Sequence, residues 1–270
     1  MKLATIRTGT TTAAVRVDDD AAVELGAADL GQFLSRPDWR SAAEAATGTR
    51  HALAELDYAT LIPRPEKVFC VGLNYRTHIL EMGRDLPQYP TLFAKFARAL
   101  VGAYDPVELP AGSDQVDWEA ELGVVIGAEV RYASTDQARA AIAGYTVVND
   151  VTARDFQYRS VQWLQGKTFE RSTPVGPWLV TDAQPGDIVC EVDGELMQKA
   201  DTADLVFSPV DLVIYLSQLI TLAPGDIIAT GTPGGVGHAR RPARYLTEGS
   251  QLRTRVEGVG ELRNTMVKGV

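Results

Sequence analysis

Cysteine is nearly absent: Cys70 and Cys190 are the two in 270 residues. That is too few for a disulfide framework or a thiolate metal site, and their apolar surroundings read as inert core thiols of a reducing compartment. Positive charge is also short. With 26 Lys and Arg against 35 Asp and Glu, the formal net charge is -9, which argues against nucleic acid or an anionic membrane as partner. An anionic substrate is not excluded, because a bound cation and a few Arg or Lys residues set the field locally. No apolar run is long enough to span a bilayer, and Met1 to Arg7 lack the uninterrupted apolar stretch of a signal peptide, so a cytoplasmic location is expected. Internal repeats, low-complexity tracts and long charge runs are missing too. Gly166-Lys167 is not a phosphate loop, and the glycines from Gly231 to Gly237 do not form a dinucleotide fingerprint, which needs a following helix and a downstream acidic residue.

What is present is an ordinary globular composition, rich in turns, with 24 Gly and 14 Pro, and long enough for one large domain or two unequal ones. The chain divides near residue 64, where Pro63 and Pro65 mark a linker. Residues 1–63 read as a small N-terminal α/β domain. It has short strands at Lys2–Arg7, Ala13–Val17 and Ala22–Leu25, then helices at about Ala27–Leu34 and Trp39–Ala46. Nothing in this unit, His51 included, suggests chemistry. In residues 64–270 strands dominate, at Lys67–Leu73, Glu121–Val130, Gly144–Asn149, Trp178–Thr181, Ile188–Val192, Ile227–Thr230 and Gln251–Val256. Their spacing and Gly or Pro breaks favour a β-roll or sandwich, giving an α+β, mainly β, fold. Asp136 is placed to cap one helix, and Ser208 with Pro209 and Asp211 opens another.

The chemistry begins at Glu119-Ala120-Glu121. Strand side chains at i and i+2 leave one face, so the two carboxylates point together while both faces of the segment look buried. Asp150 ends the next strand-like run and is placed to add a third oxygen ligand. Such a set, without His or Cys, suits a hard cation such as Mg²⁺ or Mn²⁺, with Ca²⁺ also open. The competing reading is a solvated acidic pair with a turn aspartate. His78 and Glu81, three apart on a helical turn, read either as a water-activating pair or as a surface pair. Arg154 and Gln157 lie one turn beyond Asp150, placed to hold a carboxylate or carbonyl, or simply solvated. Lys167 is a candidate stabiliser of developing negative charge. In Thr230–Gly237, free amides such as that of Gly231, together with Thr232, read as a carboxylate cradle or as a tight turn. His238 follows that loop, but Arg240 and Arg241 after it suggest an exposed segment outside any site.

From about Pro65 to the end, the sequence resembles the fumarylacetoacetate hydrolase family. The resemblance is carried by Val71-Gly-Leu-Asn-Tyr-Arg-Thr-His78, Pro90-Thr-Leu-Phe-Ala-Lys95, Asp117-Trp-Glu119-Ala-Glu121-Leu and Val148-Asn-Asp150-Val-Thr-Ala-Arg154-Asp-Phe-Gln157. Gly166-Lys167-Thr-Phe, Pro174-Val-Gly-Pro-Trp178 and Thr230-Gly-Thr232-Pro-Gly-Gly complete it. It implies a mixed β-roll catalytic domain, usually dimeric, with a divalent cation between Glu119, Glu121 and Asp150. It implies His78 and Glu81 as a water-activating dyad on a lid, with Lys167, Gln157, Arg154, Thr232, Gly231 and Tyr75 around a small keto-acid substrate. The acidic ligand that the longer animal enzymes add from an N-terminal region has no counterpart here, so the chain is similar to the shorter bacterial branch.

The reaction implied is hydrolysis of a C–C bond in a β-diketo acid of the acylpyruvate or fumarylpyruvate type, through a metal-stabilised pyruvate enolate. Oxaloacetate decarboxylases and isomerases of ring-cleavage products share that enolate, and a non-catalytic metal-binding homologue is the reading from another class. Selectivity among them is expected near Tyr75, Arg76, Met82, Arg84 and Tyr89.

Overall fold

The computed structural model describes residues 1–81 and 83–269; Met82 therefore lies outside the described residues. A 12-stranded mixed sheet forms the backbone of the molecule. In spatial order its main path runs Arg50–Ala52, Ala21–Glu24, Thr11–Val17, Lys2–Thr8, Thr173–Val180, Ile142–Asn149, Ala120–Ile126, Ile227–Ala229, Val68–Gly72 and Thr91–Lys95. A five-stranded sheet, from Glu195–Asp201 through Asp187–Val192, Gln251–Val256 and Gly260–Lys268 to Val107–Leu109, packs beside it. The fold is mainly β, as the sequence indicates. The first strands are continuous with the large sheet: Lys2 and Leu3 pair with Val180 and Leu179.

Ala120–Ile126 is buried along its whole length, which explains the apolar run from Leu122 to Ile126. Ala120 and Leu122 join the core between the two sheets, while Val124 and Ile126 pack under the helices Thr135–Ala141 and Pro209–Leu219. Each such aliphatic side chain contributes roughly 1.5–3 kcal/mol of burial. The strand is shorter than the expected 121–130, because the ladder to Ile142–Asn149 shifts register at Val125/Ile126 and Val130 keeps only an isolated bridge to Leu222.

Other boundaries differ for local reasons. The helix expected to be capped by Asp136 is capped by Ser134, whose hydroxyl accepts from the Gln137 amide in a reciprocal capping box; Asp136 sits in its first turn. Ser208 and Asp211 form the expected box on the other helix. Thr173–Val180 starts well before Trp178, although Pro174 and Pro177 interrupt its donors. The strand Gly260–Lys268 is not among those expected, because its Arg, Asn and Lys residues disguise its period of two. No helix among the described residues is long and apolar enough to cross a membrane.

Candidate active site

The adjacent strands Ala120–Ile126 and Ile142–Asn149 bring three carboxylates together. Ala120 pairs with Asn149, so Glu119 and Asp150 flank the same end of the ladder. The Asp150 amide donates to the Glu119 carbonyl at 2.8 Å, and the Glu119 amide donates to Asn149 Oδ1 at 3.0 Å. One oxygen from each of Glu119, Glu121 and Asp150 lies within 4.8 Å of the others, and all three residues are buried.

Three buried cations face them. Lys167 Nζ donates to Glu119 Oε2 at 2.6 Å and to Asp150 Oδ2 at 2.7 Å, and Lys95 Nζ reaches Asp150 Oδ1 at 2.5 Å. Arg154 Nη1 pairs with Glu119 Oε1 at 2.7 Å, while its Nε donates to Asp117 Oδ2 at 2.9 Å. Burial opposes charge on Asp150, yet Lys167 and Lys95 hold its carboxyl down at about 2. Burial likewise pulls Lys167 toward neutrality, but Asp150 and Glu119 outweigh it and raise its pKa. Glu121 fares differently. Among the described residues it has a single hydrogen bond, from the Gly231 amide at 2.8 Å, and burial together with repulsion from Asp150 and Glu119 pushes its carboxyl well up. A hard divalent cation held by these three oxygen donors would supply counter-charge to Glu121, so the residues present fit such an ion.

A cavity of about 330 Å³ opens above this floor, lined among others by Glu119, Arg154, Gln157, Lys167, His78 and Thr232. The Gln157 side-chain oxygen accepts from Arg154 Nη1 at 2.9 Å, which leaves its amide nitrogen without a hydrogen bond among the described residues. The Thr232 hydroxyl accepts from Gln198 Nε2 at 2.8 Å, and the Oε1 of this buried side chain accepts from the Ala120 amide. Gly72 is required where Trp163 closes the wall, since a Cβ there would lie 2.4 Å from the indole.

His78 and Glu81 occupy the short helix Arg76–Glu81, rooted by Asn74. The buried Asn74 amide donates to the carbonyls of Thr230 and Phe207 at 2.8 and 3.0 Å, and its oxygen accepts from the Phe207 amide. Both functional side chains border Gly234, whose added Cβ would lie 3.1 Å from His78 Nδ1 and 3.8 Å from Glu81 Oε2. No hydrogen bond joins the two among the described residues. Burial lowers the His78 pKa, against the opposing charge of Glu81.

The structure therefore gathers Glu119, Glu121, Asp150, Lys167, Arg154, Gln157, Thr232 and His78 around one cavity. Gly231 lies behind it, its amide engaged by Glu121. Tyr75 is 1% exposed and packs into the core between the sheets, away from the lining. Of the other residues expected to govern selectivity, Arg84 lines the cavity, whereas Arg76 and Tyr89 are exposed outside it. His238, read from the sequence as outside the site, lines the wall. Asp117 explains this placement: it accepts from the Gly237 and His238 amides at 2.6 and 2.9 Å and folds the loop inward. Lys95 and Asp117 lie in the stretches that carry the family resemblance but had no role assigned to them, and Gln198 had no signal in the sequence.

Residues 67–267 match the family described as fumarylacetoacetate (FAA) hydrolase, C-terminal. The chain belongs to the fumarylacetoacetate hydrolase family. Within it, the mitochondrial oxaloacetate tautomerase FAHD2B of Bos taurus is 45% identical over 221 residues, 79% of this chain and 70% of that protein. The structure of 5-carboxymethyl-2-hydroxymuconate delta-isomerase from Mycobacterium smegmatis covers all of both chains at 33% identity and a TM-score of 0.86. Maleylpyruvate hydrolase from Sphingobium sp. SYK-6, in complex with manganese(II) and pyruvate, does so at 30% identity and a TM-score of 0.81. These fumarylacetoacetate hydrolase relatives are enzymes acting on keto acids, and they share the fold described above.

Proposed function

We propose that this protein forms and protonates the enolate of a small 2-oxo acid, held above Glu119, Glu121 and Asp150 with the help of a divalent cation, Mg²⁺ or Mn²⁺. The observation that carries the reading is the buried carboxylate trio in which Glu121 is left with a single amide donor. The cation, when bound, supplies Lewis-acid stabilisation of charge on the substrate oxygens. Lys167, already fixed by two carboxylates, keeps an ammonium beside the developing oxyanion without reorganising. Arg154, through its grip on Glu119 and Asp117, orients Gln157, whose free amide donates to a substrate oxygen. Thr232, held by Gln198, limits the position of the carboxylate.

Two outcomes follow from one enolate. In oxaloacetate enol–keto interconversion, a proton leaves the enol oxygen and another is added at the adjacent carbon, with no water consumed. In acylpyruvate hydrolysis, His78 takes a proton from water, the hydroxide adds to the acyl carbonyl, and the C–C bond breaks toward the pyruvate carbon. That carbon is then protonated, giving pyruvate and a carboxylic acid. The first is favoured by the 45% identity to an oxaloacetate tautomerase. The second is supported by the place of His78 in the cavity wall. Assembly as a homodimer belongs to the same reading, and light scattering of the purified protein tests it.

Turnover of enol-oxaloacetate, acetylpyruvate and fumarylpyruvate, each with Mg²⁺, Mn²⁺ or EDTA, separates these outcomes. Metal-dependent acceleration of oxaloacetate ketonisation alone supports the tautomerase. Pyruvate release with ¹⁸O from labelled water in the acid product supports the hydrolase. Carbon dioxide from oxaloacetate marks a decarboxylase, and silence with metal bound overturns the enzymatic reading.

A further inference from the structure

His238 stands apart from the machinery described so far. It lines the same cavity, but on the short turn Gly237–Ala239 rather than among the buried charges of the floor. Its ring is held by two contacts and its backbone by a third. Nδ1 lies 2.9 Å from the Tyr245 hydroxyl, the backbone amide donates to Asp117 Oδ2 at 2.9 Å, and Tyr158 packs against the ring at a centroid distance of 5.3 Å. Tyr245 is steadied in turn by Gln115 Oε1 at 3.5 Å. With Nδ1 engaged, the remaining ring nitrogen, Nε2, has no protein partner among the described residues. Arg84, in the lining of the same cavity, carries a guanidinium without a hydrogen bond or ion pair among the described residues. A half-buried imidazole held this firmly, with one nitrogen left over in a cavity, is arranged to meet a ligand rather than to support the fold.

We infer that His238, oriented by Tyr245, is a specificity-determining residue whose Nε2 meets an oxygen on the far end of the substrate, the end remote from the 2-oxo acid head. The ligand class this selects is a 2-oxo acid with a second carboxylate, for which Arg84 adds complementary charge. This inference rests on the proposed reading that the head group binds over Glu119, Glu121 and Asp150. A hydrogen bond to a charged acceptor predicts a loss of about tenfold in affinity when the imidazole is removed.

Calorimetric binding with Mg²⁺ tests it on the full chain, with pyruvate as the head alone and oxaloacetate, 2-oxoglutarate and 2-oxoadipate as heads carrying a second carboxylate at increasing reach. His238→Phe keeps a ring against Tyr158 while removing the donor. The expected result is a preference of at least one dicarboxylate over pyruvate in the wild type that shrinks about tenfold in His238→Phe and by a smaller factor in Tyr245→Phe. A preference that survives in His238→Phe overturns the inference. So does a wild type that binds pyruvate but gains nothing from any second carboxylate, and that result leaves the proposed function standing. Failure of pyruvate itself to bind overturns the proposed function and this inference with it. Near-ultraviolet circular dichroism of each variant separates a lost contact from a lost fold.

Discussion

On the cavity floor, Lys95, Lys167, Arg154 and the carboxylates of Glu119 and Asp150 are interlocked by ion pairs at 2.5–2.7 Å, all of them buried. On the wall, His78 and Arg84, with Glu81 beside His78 at Gly234, have no side-chain hydrogen bonds among the described residues, and Glu81 and Arg84 are exposed. The floor is electrostatics fixed at folding, which no substrate needs to reorganise. The wall is chemistry held ready beside it, dependent on what the cavity contains. Damage to the first should therefore appear in stability as well as rate, and damage to the second in rate alone.

Lys167→Met is the severest test of that contrast. It leaves Glu119 and Asp150 with one less buried partner, and an unfolding free energy lower by about 3–5 kcal/mol is expected in urea titration, with turnover abolished. Wild-type stability in this variant would show that the floor is not interlocked as described. His78→Ala should do the opposite. A loss of about 10²–10⁴-fold in kcat/KM for a hydrolytic substrate is expected, with the urea midpoint shifted by no more than about 0.5 kcal/mol. Equal losses of rate and stability would erase the distinction between the two regions.

The cation sharpens the comparison from the floor side. Mg²⁺ or Mn²⁺ at about a hundred times its dissociation constant should raise the unfolding free energy by about 2.7 kcal/mol, read as a thermal shift that EDTA reverses. Glu121→Gln should weaken that response more than any change on the wall. The smallest effect belongs to pH. Burial lowers the His78 pKa below 6.5, so the neutral base survives to lower pH, and the acid limb of kcat/KM for hydrolysis should fall below that value. Because Glu81 opposes the shift, Glu81→Gln should move the limb lower still. An acid limb above 6.5 would place the essential base elsewhere.

The two regions also differ in how far the sequence reveals them. Glu119, Glu121 and Asp150 are legible because strand geometry is local: a spacing of two and a strand end suffice to predict convergence, and the strands confirm it. Lys95 meets Asp150 across 55 positions, Gln198 reaches Thr232 across 34, and Asp117 folds the loop of Gly237 across 120. No periodicity encodes such meetings. His238 was hidden for that reason, since the flanking arginines read as exposure while a distant buried aspartate turned the loop inward. Gly231 illustrates the reverse. Its loop was found, but its amide is engaged by Glu121. The mainly β character was visible in the strand spacing. The pairing of Lys2–Thr8 with Thr173–Val180 was not, because it joins segments on either side of the linker at Pro63 and Pro65.

That pairing bears on how the protein can be cut. The first strand covers the edge of Thr173–Val180 at Leu179 and Val180, and Ile142–Asn149 lies on its other side. A chain begun at residue 64 would uncover that border, exposing unpaired amides and carbonyls beside apolar side chains as a template for other chains. The shortened protein is expected to self-associate through it, observed as amyloid-dye binding or rising light scatter on storage. Dispersed monomers of the truncated chain would mean that the rest of the sheet protects its own border.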